Sequence, residues 1–325
     1  MRRHVRLGFS LGDYPRPVGG DSQLFDSVLA QVQAAEGAGF DSVWVPDHLM
    51  QTPVVAPEDD PMLECYTTLG ALAAVTSRVW LGAFVGCAAY RNPALVAKAV
   101  TTLDIISHGR AIFGVGAGWF EREHQAYGFK FGTTTERFER LMEVLEIVRS
   151  MFVDESTAFG GEHFQVDGAL NFPRPLQPGG PPILVGGSGQ KRTLRLVAKY
   201  ADICNLTGGP ERLRHLMKVL DGHCEAVGRD PRDICRTFVN VVIVRDTEEQ
   251  AYEAMPPAYR DISQEVTDHM SDTVRPIFGT REQVVQRLRE HIDAGIDGMI
   301  LSCAGEDRNA EYVQLLGELA REAYA

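Results

Sequence analysis

The chain has 325 residues, 44% of them apolar and 23% charged, the balance of a soluble globular protein large enough for one big α/β barrel or two smaller domains. Its 32 basic and 44 acidic residues leave a net charge of −12, which argues against non-specific binding to nucleic acid or to an anionic membrane surface. The amino terminus shows neither a signal peptide nor a membrane span, and six scattered cysteines without a C-x-x-C pair read as the reduced thiols of a cytoplasmic protein.

Residues 5–10 read as a first strand, followed by a helix that Asp21 or Ser22 caps and that Gly37 and Gly39 stop near Ala38. Residues 40–46 form a second strand, with Asp47 and His48 at its carboxyl end and a Pro-rich acidic loop over 52–61. A helix over 66–76 precedes a third strand, 79–86. Asn92 and Pro93 open a helix that runs to about Ile106, with proline in its first turn. Residues 110–115 are nearly all apolar, the pattern of a strand buried on both faces. This fourth strand ends in Gly116, Ala117 and Gly118, which are either a close-approach surface for a flat ligand or a glycine turn leaving a core strand. A loop over 120–132 leads to a long helix, about 135–152, with Phe138, Leu141, Met142, Leu145, Val148 and Met151 at helical spacing. Residues 155–182 are an inserted hairpin and loop. Strands five to eight follow at 183–185, 201–205, 237–244 and 298–302, with helices at 190–200, 210–227, 280–294 and up to about Tyr324. Residues 246–270 are helical but broken at Pro256-Pro257, a candidate lid.

Eight strands alternating with helices imply parallel pairing, and eight units in this length fit a (β/α)8 TIM barrel better than an open sheet. Insertions at about 50–65, 155–182 and 255–278 lie over one end of a single 1–325 domain, the end that carries the active site in a barrel. No internal repeat is evident. Gly186-Gly187-Ser188-Gly189 follows strand five at a helix start, where backbone N–H groups and the helix dipole favour an anion. Lys191, Arg192 and Arg195 form a basic cluster in that helix; the alternative is a solvated helix face. Asp47 and His48 come without an HxH pair, so a metal-dependent hydrolase lacks its ligand set and no metal is expected.

Several runs, in this order over nearly the whole chain, resemble the bacterial luciferase-like superfamily. They are Tyr-Arg-Asn-Pro-Ala-Leu-Val-Ala-Lys from 90, Thr-Leu-Asp-Ile-Ile-Ser-His-Gly-Arg from 102, Gly-Val-Gly-Ala-Gly-Trp-Phe-Glu-Arg-Glu-His from 114, the stretch 171–189, and Ala-Asp-Ile-Cys-Asn from 201. Within it they are most similar to oxidoreductases that use the deazaflavin coenzyme F420. The resemblance implies hydride transfer between F420 and a small organic substrate, with an FMN-dependent monooxygenase using O2 as the alternative and a non-catalytic flavin binder as a third reading. It places Asp47 and His48 beside the deazaflavin ring. Phe84, Val85 and Gly86 match a strand-three bulge that often carries a non-prolyl cis peptide, and Asn92 matches the polar residue opening helix three. Gly116, Ala117 and Gly118 match a tip along the cofactor, and Gly186, Gly187, Ser188 and Gly189, with Lys191, match a phosphate loop. The coenzyme's anionic tail is expected near Lys191, Arg192 and Arg91. Some members carry a glutamate where this chain has Trp119, so Trp119 is expected as a wall or stacking partner. The candidate catalytic set is His48, Trp119 and Glu123. His48 is either a proton carrier, which suits an imidazole at neutral pH, or a structural histidine, and Asp47 either orients it or contacts the cofactor. His124 and His163 are expected in loops. A homodimer is expected, and the apolar content of the insertions hints at a partly apolar substrate.

Overall fold

In the computed structural model, residues 4–12, 14, 17, 19–53, 56–260 and 275–325 are described. The strands are β1 (Leu7–Ser10), β2 (Ser42–Val45), β3 (Trp80–Ala83), β4 (Gly86–Cys87), β5 (Ala111–Gly116), β6 (Thr157–Gly160), β7 (Gln165–Ala169), β8 (Ile183–Gly186), β9 (Ile203–Leu206), β10 (Cys235–Val244), β11 (Ile277–Gly279) and β12 (Gly298–Ser302). The helices are α1 (Leu24–Gly37), α2 (Cys65–Val75), α3 (Pro93–Ile106), α4 (Glu121–Ala126), α5 (Thr134–Val153), α6 (Thr193–Tyr200), α7 (Pro210–Ala226), α8 (Glu248–Glu253), α9 (Pro257–Arg260), α10 (Arg281–Asp293) and α11 (Ala310–Tyr324).

Eight strands close into a parallel barrel in the order β1, β2, β3, β5, β8, β9, β10, β12. The ring shuts where Leu7 of β1 registers with Met299 of β12. Alternation along each strand explains why these segments are apolar throughout. Trp44, Ile112, Leu184, Ile203, Cys235 and Ile300 form one buried cluster, while their strand neighbours Val43, Phe113, Val185, Cys204 and Leu301 belong to a separate cluster shared with the helices. Strand three is interrupted. β3 pairs with β5 at Leu81↔Ala111 and Gly82↔Ile112, and pairing resumes in β4 at Gly86↔Val115, with a cis peptide at Phe84–Val85 between.

The expected elements are present with shifted ends. The helix expected from Gln190 starts at Thr193, so Lys191 and Arg192 precede it and only Arg195 lies in its first turn. The loop over 120–132 contains α4, which was not anticipated. The inserted segment 155–182 carries the antiparallel pair β6–β7. Its turn is pinned by the buried Glu143 carboxylate, which accepts from the N–H groups of Glu162, His163 and Phe164. The proline break stands between α8 and α9, and the remainder of the candidate lid lies outside the described residues. Unanticipated β11 continues the sheet outside the ring by pairing Ile277 with Val242 of β10. Among the described residues no helix is long and apolar enough to cross a membrane.

Candidate active site

The carboxyl ends of the strands surround a cavity of about 480 Å³, within the range of small-molecule and cofactor sites. Asp47, His48, Phe84, Val85, Gly86, Gly116, Ala117, Gly118, Trp119, Glu123, Gly186 and Gly187 all line it. The other expected residues stand apart. Asn92 caps α3, accepting from the N–H groups of Ala94 and Leu95. The Ser188 hydroxyl is engaged with Thr207 at 2.8 Å. Gly189 and Lys191 are exposed beyond the cavity wall.

β2 delivers Asp47 and His48 into different networks. Asp47 is 4% exposed, takes both arms of Arg91 at 2.7 and 2.8 Å, and accepts from the Cys87 N–H at 2.9 Å. Burial pushes its carboxyl up, against the Arg91 and Cys87 bonds. Arg91 also reaches Glu64 at 2.5 Å; desolvation opposes its charge, but the Asp47 bonds outweigh it and raise its pKa. Arg91 is therefore committed to this pair and is not a free cation for a coenzyme tail. Nor does Asp47 orient His48.

Glu123 takes that role. It projects from the first turn of α4 and is fully buried. Its Oε2 faces His48 Nδ1 at 3.0 Å and also accepts from the Tyr90 hydroxyl. Its Oε1 accepts from the N–H groups of Leu49 at 2.5 Å and Met50 at 3.1 Å. Desolvation works to raise its pKa, but the His48 and Tyr90 bonds outweigh it and hold the carboxyl below its ordinary value. An ionised carboxylate only accepts, so the proton of a neutral His48 sits on Nδ1, leaving Nε2 with no protein partner among the described residues. The imidazole meets Trp119 and Phe120 edge-on, and Trp119, 51% exposed, stacks on Phe120 at 5.3 Å between centroids.

His124, expected in a loop, is fully buried in α4. Its Nδ1 donates to the Phe120 carbonyl at 2.9 Å, which leaves Nε2, at 3.6 Å, to accept from the Cys87 thiol. Desolvation keeps both groups neutral, lowering the pKa of His124 and pushing Cys87 up to about 12. His163 stands at the hairpin turn, 3.3 Å from Glu139.

The glycines have a structural reason of their own. A Cβ on Gly116 would fall 2.8 Å from Val85 Cγ2, and one on Gly186 would fall 2.9 Å from Val85 Cγ1. The space read as room for a ligand is in large part room for the Val85 side chain. Gly187 has φ +115°, where any side chain is strained.

Several lining residues escaped the sequence reading: Cys87, Tyr90, Arg137, Phe138, Thr193, Asn205, Thr207 and Val239. Asn205 left a signal, a polar residue in an otherwise apolar buried strand. Arg137 left none, because its helix periodicity resembles a solvated face. Its guanidinium lies over the Phe131 ring at 4.0 Å, bonds the Gly132 carbonyl at 3.2 Å, has no carboxylate partner among the described residues, and buries an Nε without a hydrogen bond. Arg192 does not line the cavity; it reaches Thr135 at 3.1 Å and its guanidinium lies 5.8 Å from the centroid of the Phe138 ring.

The profile of the luciferase-like monooxygenase family matches residues 6–298. The F420-dependent hydroxymycolic acid dehydrogenase of Mycobacterium tuberculosis is 33% identical over 231 residues, 70% of this chain and 62% of that protein. The F420-dependent glucose-6-phosphate dehydrogenase of Kineococcus radiotolerans is 30% identical over 314 residues, 88% of this chain and 89% of that protein. A solved F420-dependent secondary alcohol dehydrogenase, in complex with an F420-acetone adduct, superposes with a TM-score of 0.82 at 21% identity, over 98% of this chain and 99% of that one. EDTA monooxygenase from Chelativorans superposes at 0.79 with 16% identity, over 98% and 93%, so the fold is common to both chemistries. With a family profile spanning most of its length and its fold, this chain belongs to the luciferase-like monooxygenase family.

Proposed function

We propose that this chain is an F420-dependent oxidoreductase that passes a hydride between the deazaflavin and a small organic substrate, with His48 carrying the accompanying proton. The observation that carries this reading is the Glu123–His48 pair, which opens onto the cavity beside Phe84–Val85 and Gly116–Gly118. Relatives named for F420 chemistry match it along most of its length. The residues present fit the coenzyme. Phe84 and Val85 form an apolar wall for a flat ring, the exposed Gly187 backbone lies at the cavity edge, and Arg137 supplies a positive charge without a carboxylate partner among the described residues, with a buried, unbonded Nε. These residues would hold it. When bound, the deazaflavin supplies the hydride acceptor or donor. The protein's part is to hold the substrate between Trp119 and the ring site, to keep water out, and to move a proton at His48 Nε2, whose ring Glu123 fixes through Nδ1.

In this reading Arg137 takes the anion-holding role that the sequence suggested for Lys191, Arg192 and Arg91. The reading includes a cytoplasmic homodimer, supported by six cysteines without disulfides and by the exposed apolar Leu95, Phe172 and Leu176; size-exclusion chromatography with light scattering tests the dimer. Equilibrium titration of the purified protein with F420 and with FMN, followed by absorbance and fluorescence, tests the cofactor. Saturable F420 binding that is tighter than FMN binding is expected. Micromolar FMN binding without F420 binding would overturn the reading in favour of a flavin monooxygenase.

A further inference from the structure

We propose that Tyr90 is a positioning residue that fixes the orientation of the Glu123 carboxylate and, through it, of His48. This rests on the reading of His48 as the proton carrier. Tyr90 stands on the turn between β4 and α3, and it was visible in the sequence only as part of a helix-opening run. In the structure its hydroxyl donates to Glu123 Oε2, the same oxygen that faces His48 Nδ1. The other oxygen is occupied by the Leu49 and Met50 N–H groups. The carboxylate therefore has four donors and no solvent, and each donor restricts where the others lie.

The two side-chain donors do different work. The backbone bonds hold Oε1 against the loop after β2. The Tyr90 hydroxyl occupies one side of Oε2 and leaves the other side to the imidazole. Desolvation, followed by the Glu123 bond, raises the pKa of the Tyr90 phenol, so it stays protonated and always donates. Its ring is held by packing on His124 at 4.9 Å and Phe129 at 4.8 Å between centroids. The charged and titratable groups facing this array are few. Asp47 is paired with Arg91, Cys87 and His124 are paired with each other, Arg137 and Arg140 face His124, and among the described residues Glu123 is the one anion in contact with the imidazole. Without the phenol, Oε2 has an open side and the carboxylate can turn about its backbone bonds, so the Nδ1–H···Oε2 bond and the imidazole lose their fixed direction, while the ionised carboxylate still keeps the proton on Nδ1.

The test is Tyr90→Phe, which keeps the ring packing and removes only the hydroxyl. The imidazole ¹⁵N spectrum of the coenzyme-free protein reads the tautomer, with the His48 signals assigned by their loss in His48→Gln. Both proteins are expected to show the Nδ1–H form, with the His48 signals of Tyr90→Phe shifted and broadened as the Nδ1–H bond loses its fixed direction. In the complete enzyme kcat should fall about tenfold, the scale of one hydrogen bond, with KM and coenzyme affinity within a few-fold. An unchanged His48 spectrum in Tyr90→Phe overturns the proposal, whatever happens to turnover. A changed spectrum with unchanged kcat upholds the positioning role and instead refutes His48 as the proton carrier, so the two ideas fail separately.

Discussion

At the residue scale, a buried carboxylate separates what Asp47 and His48 do. The two are adjacent in the chain and leave the same strand, yet one is locked to Arg91 and the other to Glu123. A pair such as Asp47–Arg91 costs desolvation on both sides, so it is held by geometry and by the extra bonds from Cys87 and Glu64. His48 is different because its side chain is 27% exposed and retains an uncommitted ring nitrogen on the cavity. His48→Ala should lower kcat by about 10² to 10⁴, the usual range of general acid–base help, while coenzyme affinity changes by no more than a few-fold. The variant also strips one donor from Glu123, so turnover must be counted per folded molecule. Near-normal turnover on that basis would make His48 a structural histidine. The sequence left open which neighbour orients this imidazole, because the partner lies 75 residues away on another element.

At the element scale, the interruption of strand three shapes the floor of the site. β3 stops at Ala83, whose carbonyl sits so close to β5 that a Cβ on Gly114 would be 1.9 Å away. The chain then passes through Phe84 and Val85 before pairing again in β4, and the Val85 methyls press on Gly116 and Gly186 from neighbouring strands. Gly116→Ala should destabilise the protein by about 1–3 kcal/mol through overpacking, and Val85→Ala in the same chain should recover most of that loss. Denaturant unfolding of the two single variants and the double variant measures the coupling; additive effects would show that Gly116 is not held small by Val85. The opposite end of the barrel shows a recurring device that the search for repeats missed. Asp41, Asp202 and Asp297 each precede a strand and accept, at 2.9 Å, an N–H from the first or second residue of the preceding ring strand, at Leu7, Ile183 and Arg236. Three short copies of Asp before a strand are too brief to read as a repeat without the pairing that aligns them.

At the scale of the whole molecule, two buried histidines set how stability depends on acid. Desolvation lowers the folded-state pKa of His124 and of His291, which stacks on Phe238 at 4.5 Å, below the ordinary 6.5. The unfolded chain then binds more protons than the native one as pH falls below 6.5, so these groups contribute stability above that value and lose it on acidification. The Glu123 carboxyl, held below 4.5, adds a second loss at lower pH. Asp41 and Asp47, raised by burial above 3.8, act in the opposite direction in that lower range. The window just under pH 6.5 is therefore the diagnostic one. Urea midpoints measured from pH 7.5 down to about 5 should decline, and His124→Gln and His291→Gln should each flatten the decline. A flat wild-type profile across that window would show that neither histidine is held neutral.

The sequence by itself determined the barrel. Apolar runs of four to six residues spaced by amphipathic helices report burial on both faces, and burial is a local property that composition records. It also marked most of the cavity rim, because residues just past the end of a parallel strand necessarily face one end of the barrel. It was silent on who pairs with whom. Glu123 reaches His48, Arg91 reaches Asp47, Tyr90 joins the Glu123 carboxylate, and Arg137 enters the wall in place of Lys191 only because ring closure sets the register of strands and the rotation of helices far apart in the chain. Periodicity tells which face of an element is inward; the partner on that face is decided by the tertiary packing of the neighbouring elements.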